Sequence, residues 1–217
     1  MRTNRDRTSG ARILRLEADV ATWAMSLLVA GLILMTACVA RAQDLAKPMV
    51  LVASPDLAGP YSHTALIVVP MGDKHIGFIL NRATEARLAT VFPEHAPSAK
   101  VTDPLFYGGP EAAGAVFALL RRDPGQPSIR LFDDLFVTGN GKNIDHIIEQ
   151  TPNDARYFVG FVGWTAGELA KEIEAGYWYV GAPDAALVFR KNTDAMWEEL
   201  VTRLGNGHAV GRGLQAI

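Results

Sequence analysis

Five residues in this sequence have a type and a setting that could hold a ligand: Asn81, Arg82, Gly108, Gly109 and Trp164. Asn81-Arg82 closes the apolar run His75-Ile76-Gly77-Phe78-Ile79-Leu80, where a strand end opens into a loop. Arg82 could pair a carboxylate there, on a ligand or on Glu85, while Asn81 tolerates left-handed turn geometry and bonds its own backbone. Gly108-Gly109-Pro110 follows Leu105-Phe106-Tyr107. Successive glycine N–H groups can converge on a phosphate or carboxylate, although a proline in third place removes one donor and a simple turn explains the same residues. Trp164 stands between Gly163 and the polar Thr165-Ala166-Gly167-Glu168, placed either to stack on a ligand or to pack over the helix that follows.

Catalytic and metal-binding patterns are not evident. Ser54, Ser62, Ser98 and Ser128 have no adjacent base, and no nucleophile elbow or phosphate-binding glycine motif occurs. His63, His75, His95, His146 and His208 are scattered, without the short spacings that put two imidazoles on one metal. Asp133-Asp134 reads as a polar turn, since calcium needs several more oxygens at loop spacing, and Asp184 reads as a turn or cap. The sequence thus assigns no catalytic residue, no metal ligand and no cofactor.

The elements that would position these residues are short β-branched runs broken by Pro, Gly and Asp, which signal strands joined by tight turns. Strands are expected at residues 49–53, 65–69, 75–80, 105–107, 116–120, 129–132, 135–138, 157–162, 178–180 and 186–189, with a hairpin loop at residues 71–74. Helices are expected at residues 88–92, at 142–150, where Ile144, Ile147 and Ile148 have helical spacing, after Trp164, and at 193–204. This irregular mixture excludes the strand–helix alternation of a parallel doubly wound sheet. It reads as α+β, mostly antiparallel, in one domain over residues 49–204, preceded by a linker (43–48) and followed by a loose tail (205–217).

The helix after Trp164 is specified in detail. Thr165 and Glu168 have capping-box spacing, so the hydroxyl can accept from the N–H of residue 168 while the carboxylate returns to the N–H of residue 165. Ala166, Leu169, Ala170, Ile173 and Tyr177 would share an apolar face, with Glu168, Glu172, Glu174 and Lys171 on the other. Gly176 would end the helix in a left-handed cap. Glu168 therefore has a structural task before any catalytic one.

The N-terminus implies export. Arg2, Arg5, Arg7, Arg12 and Arg15 precede an apolar run over residues 20–40, followed by Ala40-Arg41-Ala42. A basic region, an apolar core and an A-x-A site make residues 1–42 a secretory signal cleaved after Ala42. The run is also long enough for an uncleaved inner-membrane anchor; lipidation at Cys38 would use the poorer Met35-Thr36-Ala37 context. Translation from Met49 would instead give a cytoplasmic protein. Six of the 21 basic and three of the 23 acidic residues lie in the segment 1–42, leaving 15 against 20 and a formal charge of −5. That balance disfavours nucleic acid as a partner. Cys38 is the only cysteine, so the mature chain has neither a disulfide nor a thiolate site.

Several ordered motifs together resemble the YqgE/AlgH family of bacterial proteins. They are Gly160-Phe161-Val162-Gly163-Trp164 with Gly167, Leu169, Glu172-Ile173, Gly176 and Trp178; Val52-Ala53-Ser54-Pro55; Gly77-Phe78-Ile79-Leu80-Asn81-Arg82; Tyr107-Gly108-Gly109-Pro110; Ala182-Pro183-Asp184 through Phe189; and the terminal helix from Trp197 to Gly205. Ala83 stands where the family usually has proline and Glu168 where it has glutamine, and the export signal departs from a generally cytoplasmic family. The resemblance implies a barrel-like antiparallel sheet and brings a label of alginate-related transcriptional regulation. Weighed with the residues, the expectation is a periplasmic, non-catalytic binding or accessory module for a small ligand or protein partner. It would be free of the membrane after cleavage; a transcriptional regulator and an enzyme of unrecognised type are the alternatives.

Overall fold

The computed structural model describes residues 44–213, with side chains to residue 205. The signal-peptide reading of residues 1–42, with Cys38, lies outside the described residues, as do Gln43 of the linker and residues 214–217 of the tail. Residues from Leu45 onward form one compact unit. No helix among the described residues is long and apolar enough to cross a membrane.

Nine strands make one curled, half-barrel sheet: β1 (Met49–Ala53), β2 (Ala65–Met71), β3 (Lys74–Ile79), β4 (Phe106–Tyr107), β5 (Glu111–Leu120), β6 (Ile129–Phe132), β7 (Leu135–Thr138), β8 (Ala155–Trp164) and β9 (Trp178–Gly181). Their order is β6-β7-β5-β8-β3-β2-β1-β9, with β4 beside β8. Every pairing is antiparallel except β4 on β8. This is the α+β, mostly antiparallel, barrel-like architecture expected. The helices are α1 (Leu88–Val91), α2 (Gly141–Gln150), α3 (Glu168–Glu174), α4 (Ala185–Val188) and α5 (Met196–Gly213).

β1 and β2 are apolar throughout because both of their faces are covered. Val50, Val52, Ala65, Ile67 and Val69 point into the main core, while Met49, Leu51, Leu66 and Val68 point into a second cluster with Trp164, Leu169 and Trp178. Each fully buried Val, Leu or Ile stabilises by about 1.5–3 kcal/mol, so these two strands anchor both layers. The hairpin between β2 and β3 is tighter than the expected loop. Met71 pairs with Lys74, leaving Gly72-Asp73 as the turn, and Gly72 is left-handed at φ 68°.

β8 holds the sheet together through a switch of face at Gly160. Before it, Phe158 points into the main core and Tyr157 into a third cluster beside Ile144, Ile147 and Ile148 of α2. After it, Val162 and Trp164 point into the second cluster, while Phe161 packs on the main core. An extra residue in a strand flips every later side chain to the opposite face. Gly160 supplies that step with φ 69°. Opposite it, β5 bulges between Glu111, which pairs with Phe161, and Val116, which pairs with Val159.

Three local expectations are corrected. Residues 186–189 do not form a strand: α4 occupies Ala185–Val188, started by Asp184, whose Oδ1 accepts from the Ala186 N–H at 2.9 Å. The helix after Trp164 begins at Glu168, with left-handed Gly167 (φ 75°) as its first flanking residue. The Thr165 hydroxyl donates to Glu168 Oε2 instead of accepting from the Glu168 N–H, which goes to the Thr165 carbonyl. Being two turns long, the helix buries Leu169, half-buries Ile173 and leaves Ala166, Ala170 and Tyr177 exposed. Glu172, expected on the solvent face, instead turns its carboxylate inward. At the C-terminus, the backbone of α5 stays helical through Gly213, beyond Gly205 where a loose tail was expected.

Candidate functional site

The residues singled out from sequence gather around Tyr61, in the loop joining β1 to β2. Asn81, Arg82, Gly108 and Trp164 each have a hydrogen-bond partner inside the protein. Asn81 Oδ1 accepts from the Ala65 N–H at 3.0 Å, and its Nδ2 donates to the His63 carbonyl at 2.9 Å, so the amide staples that loop to the end of β3. Arg82 donates to the Ser62 carbonyl at 3.3 Å, and its own carbonyl accepts from the Tyr107 N–H.

Gly108 and Gly109 mark a crossing of backbones. A Cβ on Gly108 would lie 2.2 Å from the Gly160 carbonyl oxygen, and one on Gly109 would lie 2.2 Å from the Phe161 carbonyl carbon. The Gly108 N–H donates to Val159 O at 2.8 Å, and its carbonyl accepts from the Ile79 N–H. The Gly108 donor that an anion nest would use is therefore already engaged. Gly here permits close approach, which is what β8 needs beside its own glycine step.

Trp164 is 4% exposed, and its indole N–H donates to Glu172 Oε2 at 2.8 Å. Trp178, 3% exposed, donates to the same oxygen at 2.7 Å. The rings meet edge to face at 6.4 Å. This is the packing alternative for Trp164, with an inward carboxylate added. Tyr61 completes the group against Trp178. Its hydroxyl is pushed above the usual tyrosine value by burial first, then by Tyr107, Glu172 and Glu111, with Arg82 opposing.

A different arrangement occurs where β4 meets the start of β8. Arg156, the second residue of β8, is 2% exposed and lies on the strand phase of Phe158, toward the main core. Its guanidinium lies over the Phe106 ring, 4.4 Å from the centroid. Nη2 stands 3.7 Å from Asp103 Oδ2, too far for a hydrogen bond, and Nε and Nη1 have no partner among the described residues. Asp103 is held more closely by Lys191, whose Nζ lies 2.9 and 2.8 Å from its two oxygens. Burial lowers the proton affinity of Arg156 below the ordinary arginine value, and Asp103 partly restores it. These side chains line a cavity of about 260 Å³ with Ala83, Pro104, Phe106, Asn192, Thr193 and Asp194.

Arg156 was not among the residues picked from sequence. The available signal was strand phase: starting β8 at Ala155 instead of Tyr157 puts an arginine in step with Phe158. Its partners are distant in the chain and leave no local trace. Among the described residues, no group of three His, Cys, Asp or Glu is arranged to hold a metal ion.

A family model described as AlgH-like matches residues 50–209. The chain belongs to the AlgH-like family. Relatives in that family include a UPF0301 protein of Chlorobium luteolum, 31% identical over 169 residues, covering 74% of this chain and 87% of the relative. Another, from Chlorobium limicola, is 29% identical over 159 residues, covering 71% and 83%. Among solved structures, the solution structure of the AlgH protein from Pseudomonas aeruginosa superposes with a TM-score of 0.64 at 23% identity, over 76% of this chain and 91% of that one. A protein of Corynebacterium diphtheriae gives 0.60 at 24%, over 73% and 86%. At these identities the structural likenesses speak to the fold.

Proposed function

We propose that this AlgH-like chain is an exported, non-catalytic binding module whose ligand presents an anionic group to Arg156. One observation carries the reading: a guanidinium buried to 2% exposure, with Nε and Nη1 unpartnered, lines a cavity. A buried charge costs several kcal/mol unless it is paired and its hydrogen bonds are met. Asp103 meets that need poorly, because it stands 3.7 Å away and is shared with Lys191. An anion in the cavity beside Arg156 would supply the countercharge that Asp103 provides poorly. The lining offers ion pairs and a stacked guanidinium rather than a nucleophile held by a base, which favours binding over catalysis. Export is supported by the arginine-rich start, the apolar run and the A-x-A site, and it opposes a role in transcription, as does the formal charge of −5 left after residue 42.

Two experiments test this. The Arg156 Nε–H resonance, followed by ¹H–¹⁵N NMR during titration with acetate and with inorganic phosphate, should shift and saturate for at least one anion. Arg156→Met should abolish the saturable response seen elsewhere in the spectrum. A wild-type protein indifferent to both anions overturns the binding reading. Separately, a C-terminally tagged chain expressed in a Gram-negative host should be periplasmic and begin at Gln43; a cytosolic product beginning near Met49 overturns export.

A further inference from the structure

We infer that the group received by Arg156 is the carboxylate of a small molecule, and that Asp103 is the residue that selects it against phosphate. This rests on the binding reading above and adds the ligand's chemical class.

Charge comes first. The lining holds two cations, Arg156 and Lys191, and the carboxylates of Asp103 and Asp194. Lys191 is already matched by Asp103 at 2.8 Å. Arg156 is the cation with no carboxylate within hydrogen-bond distance, and Asp194 brings the lining as a whole to zero, so a ligand with more than one negative charge meets an excess of carboxylate. A dianion would carry a second charge to within a few ångströms of Asp103, in a setting where water screens poorly.

Shape points the same way. Phe106 covers one face of the guanidinium, and because its N–H groups all lie in the guanidinium plane a hydrogen-bonding partner approaches in that plane. A planar carboxylate does so, which is the geometry of arginine–carboxylate pairs. A tetrahedral phosphate can use the same two donors, but its other oxygens then project out of that plane, on one side toward Phe106. The cavity, at about 260 Å³, falls below the range of roughly 300–1,000 Å³ usual for drug-sized ligands. Ala83, Pro104 and Phe106 supply apolar wall for a short carbon chain behind the carboxylate. Lys191, whose side chain is 69% exposed, is the more exposed partner of its ion pair with Asp103.

Asp103→Asn keeps the side-chain size and removes its charge. At about pH 8, where phosphate is chiefly the dianion, the wild type should bind propionate on the order of tenfold more tightly than phosphate. In Asp103→Asn that preference should shrink to near parity, chiefly by a gain in phosphate affinity. Lys191→Met tests the same idea without uncovering Arg156. Asp103 would turn fully to the guanidinium, and propionate and phosphate should both weaken. Equal wild-type affinities, or an Asp103→Asn protein that keeps the wild-type preference, overturns the inference while leaving the anion site in place. Absence of binding by the wild type to either anion removes the site itself. A short peptide with a free C-terminus binding far more tightly than propionate, and losing that advantage on amidation, overturns the small-molecule assignment.

Discussion

The two polar regions differ in how completely their groups are satisfied. Around Tyr61, the Asn81 amide has a partner for its oxygen and its nitrogen, both indole N–H groups reach Glu172, and Gly108 uses its donor and its acceptor. At the β4–β8 end, Arg156 is buried as deeply as Trp164 and keeps two nitrogens unpartnered. Buried polar groups are almost always hydrogen-bonded. Among the described residues His75 Nδ1 and His95 Nε2 are the other buried side-chain atoms without a hydrogen-bond partner, and Arg156 is the one residue with two, which is the observation behind the proposed anion site. The region with the most conspicuous sequence builds the fold; the region without a motif keeps two buried donors without a partner.

Substitutions can break this contrast, beginning with the most damaging. Gly160→Ala should cost more than about 4 kcal/mol and give little folded protein, because its Cβ would lie 2.2 Å from Gly109 O and 2.7 Å from Glu111 O at a left-handed φ. A soluble variant with a wild-type thermal midpoint would mean the crossing is not needed. Glu172→Ala should cost about 3 kcal/mol, since it strands two buried indole donors. Glu172→Gln, which keeps an acceptor oxygen, should lose less than half of that in chemical denaturation.

Alkaline pH should act on both regions. Tyr61 and Tyr157 have hydroxyl pKa values raised chiefly by burial. Above about pH 10 the unfolded chain releases these protons first. Stability should then fall as pH rises toward the folded values, by several degrees in melting midpoint, and less so in the Tyr61→Phe/Tyr157→Phe double variant. A flat midpoint between about pH 9 and 11 would contradict the burial of both phenols.

Smaller effects sharpen the picture. Thr165 N and Oγ1 both donate to Glu168 Oε2, and these bonds, the backbone one first, hold the Glu168 carboxyl below its ordinary value. That stabilisation is present above the ordinary carboxylate range and is lost as pH falls through the depressed value. Thr165→Ala removes only the hydroxyl arm, so the midpoint should drop by about 1–2 °C near neutrality and converge with wild type in acid. Carbon-detected NMR should show the Glu168 pKa moving up. The smallest stability effect is expected for Arg156→Met, which should leave the midpoint unchanged or raise it, because an apolar chain of similar length removes an ill-paired buried charge. A large drop would make Arg156 a structural residue and erase the contrast.

How much was legible from sequence follows the reach of each rule. Ile144, Ile147 and Ile148 announced α2 because helical spacing is local, and Asn140 starts that helix by accepting from the Asn143 N–H. Gly176, left-handed at φ 80°, ends α3 as its type required. Residues 186–189 misled because a four-residue apolar stretch fits a buried strand or one helical turn equally well; Asp184 decided for the turn. Glu172 misled because acidic residues on short helices ordinarily face water, and only two indoles arriving from β8 and β9 draw it inward.

The sequence alone determined most of the strands and turns, the helix ends at Asp184 and Gly176, the mostly antiparallel class and, through its ordered motifs, the family. Each depends on residues a few positions apart, where backbone geometry dictates who can meet. Tertiary structure decided that Gly108 and Gly109 serve a backbone crossing, that β8 changes face at Gly160, and that Arg156 lies buried over Phe106. The cavity draws on four separated segments, at Ala83, at residues 103–106, at Arg156 and at residues 191–194, with Asp103 and Lys191 standing 88 positions apart. Periodicity and spacing carry no information over such separations, because only the curl of the sheet brings those segments together.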